Sequence, residues 1–232
     1  MEDKKNIGFL FDRIAGRYDF LNHLLSLNID RYWRRKAVRT VGSKDSIRSC
    51  LDVAIGTADL AIELARQMPQ LNVQGIDLSS QMMQIGAEKV KNLGLQKRIA
   101  FMQGSALELP FDDNSFDLVT CAYGVRNFSD LDKGLSEMLR VLKHGSQVMI
   151  LEFSYPSNPF IAWVYDLYFS HILPFVGRIV SHDKNAYSYL NRSVKGFVWG
   201  ERMCQKLLNA GFHDAHYQTL SLGITTIYTA VK

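Results

Sequence analysis

A chain of 232 residues with 47% apolar and 22% charged residues can bury a full core without disulfides or metals. A net charge of +4 is too small to demand nucleic acid, although it permits attraction to anionic phosphates or to an anionic membrane surface. Cys50, Cys121 and Cys204 are too scattered for a disulfide framework or a zinc cluster, and they suit the reduced thiols of a cytoplasmic protein.

The chain opens Met1-Glu2-Asp3-Lys4-Lys5 without the apolar run of a secretory signal. Residues 1–48 then read as an N-terminal helical lid, amphipathic from Asn6 to Val41. From Ser49 the pattern alternates between short apolar runs and helix-like stretches, as in a parallel sheet covered on both faces. The expected strands are Ser49–Ile55, Leu71–Asp77, Ile99–Gly104, Phe116–Ala122 and Gln147–Phe153. Between them the expected helices are Leu60–Gln67, Ser80–Leu93, with Gly94 as its C′ residue, and Leu131–Leu142, with Asp130 as its N-cap. His144-Gly145-Ser146 reads as a turn before the fifth strand. Residues 155–200 form an aromatic, apolar insert. Its longest apolar stretch, Pro156 to Val180, is interrupted by Asp166, His171, Pro174 and Arg178 and is a poor bilayer span. Residues 201–232 predict a helix, Glu201–Ala210, and two strands, Phe212–Thr219 and Ile224–Val231. The short Ser221-Leu222-Gly223 connection makes that last pair antiparallel. The fold class expected is therefore α/β and Rossmann-like, with a mostly parallel seven-stranded sheet, an antiparallel C-terminal hairpin, a core at 49–154 and helical lid segments.

The strongest local signal is Leu51-Asp52-Val53-Ala54-Ile55-Gly56-Thr57-Ala58-Asp59, a buried strand, a tight turn and a helix. Ligands of open α/β sheets bind beyond the carboxyl ends of the strands, and Gly56 lets backbone approach a ligand closely. Thr57 and Asp59 can meet the amino-acid end of a ligand, and a carboxylate such as Asp52 or Asp59 can pair with an ammonium. Asp77, ending the second strand about 20 residues after Gly56, can accept both hydroxyls of a ribose. Ser105 and Ala106 end the third strand beside the expected adenine, and Ala122 ends the fourth, delivering Tyr123 to the same edge. A nicotinamide dehydrogenase needs Gly-x-Gly-x-x-Gly at the first turn, and this turn has one glycine and no pyrophosphate cradle. S-adenosylmethionine has no phosphate and fits that turn better. These residues, with the fold, point to a class I methyltransferase dependent on S-adenosylmethionine, with no metal.

Several segments resemble the ubiquinone/menaquinone biosynthesis C-methyltransferase family, and the resemblance covers nearly the whole chain. They are Phe11-Asp12-Arg13-Ile14-Ala15, Tyr18-Asp19, Asn22, Leu25-Ser26, Trp33-Arg34, Leu109–Asp117, Glu137-Met138, Arg140-Val141-Leu142, Leu151-Glu152-Phe153-Ser154 and Ala186-Tyr187-Ser188-Tyr189-Leu190. The most specific is Tyr123-Gly124-Val125-Arg126-Asn127, similar to an aromatic-Gly-aliphatic-Arg-Asn motif. Ala58 departs from the family's glycine, at what reads as a tolerant first-turn helix position.

The resemblance implies methylation of a ring carbon of a prenylated quinol. Demethylmenaquinol is the expected substrate, in menaquinone biosynthesis, and 2-methoxy-6-polyprenyl-1,4-benzoquinol of ubiquinone biosynthesis is the alternative. A small-molecule methyltransferase of another pathway would keep Gly56, Asp77 and Ser105 without requiring the Arg126-Asn127 pair.

Arg126 and Asn127 are the expected catalytic residues. Arg126, always charged, would hold the ring oxygen rather than act as a base, and Asn127 would orient it. The rival reading of Arg126 is a surface ion pair with Asp130 or Asp132. His171 and His182 are candidate proton acceptors. The aromatic insert reads either as a prenyl groove or membrane-facing patch, or as a lid packed on the domain. Arg31-Tyr32-Trp33-Arg34-Arg35-Lys36 reads as a solvated helix face or a contact for anionic lipid. Peripheral membrane contact is thus an open partner reading. Nucleic acid is not expected, because basic residues interleaved with stacking aromatics are confined to Arg31–Arg39.

Overall fold

The computed structural model describes residues 8, 12, 15, 16, 26, 28–42, 44–168 and 192–232. In chain order these form α1 (Ile29–Arg39), β1 (Ser49–Val53), α2 (Asp59–Gln67), β2 (Asn72–Asp77), α3 (Ser80–Asn92), β3 (Ile99–Gln103), β4 (Phe116–Ala122), a 3₁₀ turn (Val125–Asn127), α4 (Leu131–Val141), β5 (Leu142–Phe153), α5 (Pro159–Leu167), α6 (Glu201–Asn209), β6 (His213–Leu220) and β7 (Thr225–Val231). The expected Phe11, Arg13, Ile14, Tyr18, Asp19, Asn22, Leu25, His171, His182 and Ala186–Leu190 lie outside the described residues, as do Phe169, Ile172, Leu173 and Phe175 of the aromatic insert.

The seven strands form one sheet in the order β3-β2-β1-β4-β5-β7-β6. β1 to β5 pair in parallel, while β7 runs antiparallel to both β5 and β6. This is the expected mostly parallel sheet with an antiparallel C-terminal hairpin. Helices α1, α2 and α3 bury Trp33, Val38, Leu60, Leu64 and Val90 in the core on one face. Helices α4 and α6 bury Leu135, Met138, Met203 and Leu207 in the core on the other. Both faces of the central strands β1, β4 and β5 are therefore dry, which explains why their runs read as continuously apolar, while the edge strands β3 and β6 are largely exposed.

Helix ends follow local chemistry. The side chains of Ser79, Asp130 and Asn158 accept from Met82, Lys133 and Phe160 N–H groups, starting α3, α4 and α5. Gly94 ends α3 as expected: at φ +70° it completes a Schellman motif, with Leu95 N–H donating to the Val90 carbonyl and Gly94 N–H to that of Lys91. Gly211 does the same for α6, through Phe212 to Leu207 and Gly211 to Leu208.

Two local expectations are corrected. β5 begins at Leu142, directly after α4, so His144-Gly145-Ser146 lies in the strand rather than in a turn. Extended pairing continues there: Gly145 N–H donates to Lys232 carbonyl and Lys232 N–H to Ser146 carbonyl. Ala58 is the N-cap of α2 at φ +66°, not a first-turn residue. Left-handed backbone costs a non-glycine residue about 1–2 kcal/mol. Full burial of the Ala58 methyl offsets about 0.8 kcal/mol of that, and a glycine there would lose more backbone entropy on folding. The opposing terms nearly cancel, so alanine is accepted where glycine is expected.

Candidate active site

The carboxyl ends of β1 to β4 enclose a cavity of about 790 Å³, counting the part open to solvent. It lies at β1, where the strand order reverses, the usual ligand crevice of an open parallel sheet. Gly56, Asp77, Ser105, Ala106, Ala122 and Asn127, all expected at the site, line it together. Tyr123, Met82, Leu107 and Phe128 complete the walls, and Gly8 brings the N-terminal segment against them.

The turn after β1 is shaped by two left-handed residues, Ala54 at φ +57° and Gly56 at φ +54°, which is why β1 stops at Val53 rather than Ile55. Asp77 holds that turn. One carboxylate oxygen accepts Gly56 N–H at 2.8 Å and the other accepts Ser79 N–H at 2.8 Å. Burial nevertheless keeps the Asp77 carboxyl above its ordinary pKa, with the backbone donors of Ser79, Gly56 and Leu78 opposing that shift. Asp12, from the N-terminal segment, accepts the Ser79 hydroxyl at 2.5 Å and Gln81 N–H at 3.3 Å.

Thr57 and Asp59 stand beside the cavity and are not part of its lining. Asp59 pairs with Arg34 at 3.0 Å and with Lys89, whose ammonium also donates to the Thr57 hydroxyl at 3.3 Å. Arg34, itself buried, also pairs with buried Asp30. Asp52 lies beneath the turn, fully enclosed, and accepts the Thr120 hydroxyl at 2.7 Å. Burial pushes its carboxyl up to about 7.

Arg126 and Asn127 occupy the 3₁₀ turn beyond β4. Asn127 faces the cavity, while Arg126 sits behind the wall with its side chain 4% exposed. Its guanidinium pairs with Glu152 of β5 at 2.6 Å, donates to the Tyr123 carbonyl and lies over the Phe153 ring at 5.3 Å. The surface ion pair with Asp130 or Asp132 is thereby overturned: the partner is the fully buried Glu152, while Asp130 caps α4 and Asp132 pairs with Lys206 at 2.8 Å. Glu152 signals itself in the sequence as a lone carboxylate within the apolar run Val148–Phe153. Lys89 and Met82 carry no such signal, since residues on the face of α3 are not marked by a strand-end rule, and neither does Phe128, the extended residue just past the 3₁₀ turn. Tyr123 stacks on Phe153 with centroids 4.4 Å apart, and burial holds its phenol well above the ordinary value. No group of three or more metal-ligating side chains occurs among the described residues.

The sequence profile of the ubiE/COQ5 methyltransferase family matches residues 1–232. The chain belongs to that family. It is 46% identical to a demethylmenaquinone methyltransferase of Porphyromonas gingivalis, across 96% of this chain and 91% of the relative. It is 42% identical to the ubiquinone/menaquinone biosynthesis C-methyltransferase UbiE of Geobacter sulfurreducens, across 100% of this chain and 90% of that one. Among solved structures, the fold matches the [4+2]-cyclase SpnF with a TM-score of 0.71 at 18% identity, covering 99% of this chain and 96% of that one. It also matches a SAM-dependent methyltransferase from Thermotoga maritima with a TM-score of 0.67 at 18% identity, covering 97% and 99%. Family membership makes the chain a methyltransferase, and the two solved structures bear on its fold alone.

Proposed function

We propose that the chain moves a methyl group from S-adenosylmethionine to a ring carbon of demethylmenaquinol. The observation that carries the reading is the convergence of Gly56, Asp77, Ser105 and Asn127 on one cavity at the switch point of the sheet. The names of the relatives support the substrate class: the Porphyromonas protein is a demethylmenaquinone methyltransferase. The Geobacter name covers both quinone routes and favours 2-methoxy-6-polyprenyl-1,4-benzoquinol as the second substrate reading.

The site fits the methyl donor. The Asp77 carboxylate lines the cavity and can accept a ribose hydroxyl beside its backbone donors. Ala106, Leu107 and Phe128 supply apolar walls for a base, with Ser105 beside them. When bound, S-adenosylmethionine supplies an electrophilic methyl group on its sulfonium.

The chain's own residues do the rest. A quinol carbon becomes nucleophilic when the neighbouring hydroxyl loses its proton. Asn127 presents its amide to that oxygen from the cavity wall. Arg126, paired with Glu152 behind the wall and donating to the Tyr123 carbonyl, positions the turn that presents this amide. The Tyr123 phenol stays protonated at neutral pH and acts as a donor, not as the base.

The test is purified protein with labelled S-adenosylmethionine and short-tailed demethylmenaquinol, the methylated atom being read by product analysis. Ring-carbon methylation is the expected product, and methylation on oxygen or no transfer overturns the reading. For the donor site, Asp77→Ala is expected to weaken S-adenosylmethionine binding by about 1–3 kcal/mol in calorimetry. Unchanged affinity in a folded variant removes the ribose role.

A further inference from the structure

Helix α5 wears its apolar stripe outward. Phe160, Trp163, Val164 and Leu167 fall at helical i, i+3, i+4 and i+7 spacing and are all exposed, Phe160 by 68% and Trp163 by 61%. A surface helix ordinarily turns such a stripe toward the core. Here the inward side is carried by Tyr165, 4% exposed and edge-on to Tyr155. The helix has one charge, Asp166, and Lys195 pairs with it at 2.7 Å.

The turn between β6 and β7 adds a second, independent oddity. Leu222 sits at its tip, 73% exposed, in left-handed backbone at φ +59°. A leucine there bears both the strain of that backbone and the cost of facing water, at a place where asparagine or glycine would bear neither. The tip is held firmly: the Ser154 hydroxyl donates to the Gly223 carbonyl at 2.7 Å and the Trp33 indole to the Ser221 hydroxyl at 2.8 Å. A Cβ on Gly223 would stand 3.4 Å from Pro156 Cα, so this turn lies against the chain leading into α5.

Trp33 links the same turn to α1. There Ile29 and Tyr32 are exposed, along with Arg31, Arg35 and Arg39, and the Lys36 ammonium lies 5.9 Å from the Tyr32 ring centroid. No acidic side chain of α1 is exposed, since its one carboxylate, Asp30, is buried. The apolar helix face, the apolar turn tip and the first turns of α1, with Ile29, Arg31 and Tyr32, lie toward the carboxyl edge of the sheet, the edge that carries the cavity, while the far end of α1 meets Gln147 toward the other edge and Arg35 pairs with Glu63 at 3.7 Å.

We propose that α5, the Leu222 turn and the exposed face of α1 form a docking surface for an anionic phospholipid bilayer. The stripe and Leu222 enter the headgroup–acyl boundary, and the α1 cations meet the lipid phosphates. The inference rests on the prenylated-quinol reading for its purpose: a substrate whose tail stays in the bilayer reaches the cavity from that side.

The test is flotation of the full chain with phosphatidylcholine vesicles, with and without phosphatidylglycerol. Binding is expected to strengthen with phosphatidylglycerol and to weaken as salt rises. Leu222→Asn, which suits the left-handed backbone, combined with Trp163→Ser is expected to lower vesicle affinity roughly tenfold or more. Turnover of a tail-less quinol is expected to stay at the wild-type level. As a direct readout, the indole introduced by Leu222→Trp is expected to be quenched by brominated lipid.

Vesicle binding untouched by the double substitution, or an introduced indole that brominated lipid does not quench, overturns the proposal. So does a change of oligomeric state with unaltered vesicle binding, which would assign the surface to a second copy of the chain. Loss of vesicle binding in the variant, while the wild type methylates no quinol at all, would sink the substrate reading and still support the surface.

Discussion

The charges that matter at this site are mostly buried, and single substitutions there act on stability as well as on chemistry. Arg126→Ala would leave Glu152 unpaired with no exposure to water, a loss of about 3–5 kcal/mol, visible as a lower melting temperature. That substitution therefore does not isolate a catalytic role. Arg126→Lys keeps a cation opposite Glu152 and removes the planar fork. It is expected to stay folded with near-normal donor affinity and, because the turn carrying Asn127 is no longer held by the fork, to lose about a hundredfold in turnover. A Lys variant with full turnover would leave Arg126 only a structural charge.

Asp52 makes a prediction about pH. Because burial pushes its carboxyl up to about 7 from 3.8, the folded protein keeps a proton there that the unfolded chain has already lost. Stability from this group is present below pH 4 and falls as pH rises toward 7, by roughly 4 kcal/mol at most. Asp52→Asn can still accept the Thr120 hydroxyl and lacks this slope. Its melting temperature relative to the wild type should climb between pH 4 and pH 8, and parallel curves would contradict the buried proton.

Between elements, the site depends on how closely the ends of β1 and β4 approach. Gly124, where β4 passes into the 3₁₀ turn, has no left-handed backbone. Its role is close contact, since an added Cβ would lie 2.7 Å from both Ala54 Cβ and Cys121 Sγ. Neither neighbour can swing aside, both being short side chains at the base of the cavity. Gly124→Ala is expected to cost about 1–3 kcal/mol in denaturant unfolding and to weaken donor binding. An unchanged midpoint would show that the two strand ends have room to part.

The same contrast explains what could be read from the sequence. Strand identity was legible because each run is apolar and ends in a residue of special chemistry, Gly56, Asp77 or Ser105, and the caps Asp130 and Gly94 follow local rules. The extended start of β5 was hidden, because its pairing with Lys232 is long-range and glycine at 145 mimics a turn. The left-handed Ala58 was hidden by its burial. That Arg126 faces Glu152 rather than solvent depends on β4 and β5 being neighbours, a fact of topology that no spacing within either strand encodes.

For the molecule as a whole, the cavity joins four strand ends, α3 and the N-terminal segment, so a ligand there ties distant parts of the chain together. S-adenosylmethionine at a hundredfold excess over its Kd is expected to stabilise the fold by about 2.7 kcal/mol in thermal melting. Asp77→Ala should reduce that shift at the same concentration. Activity is expected to persist in excess chelator. Loss of activity that returns with one added divalent ion would require ligands beyond those among the described residues.

The position of β7 bears on how the protein is made. β6 is synthesised before β7, yet its only strand partner among the described residues is β7, which lies between it and β5. On the ribosome, β6 therefore emerges as a strand with nowhere to dock, while β5, already paired with β4, presents a bare edge from Gln147 to Phe153. Such an edge is a template for any passing strand. The nascent chain is most exposed to misassociation in the interval before Thr225–Val231 emerges. A chain stopped short of Thr225 should go to inclusion bodies or to proteases rather than persist as a smaller folded enzyme.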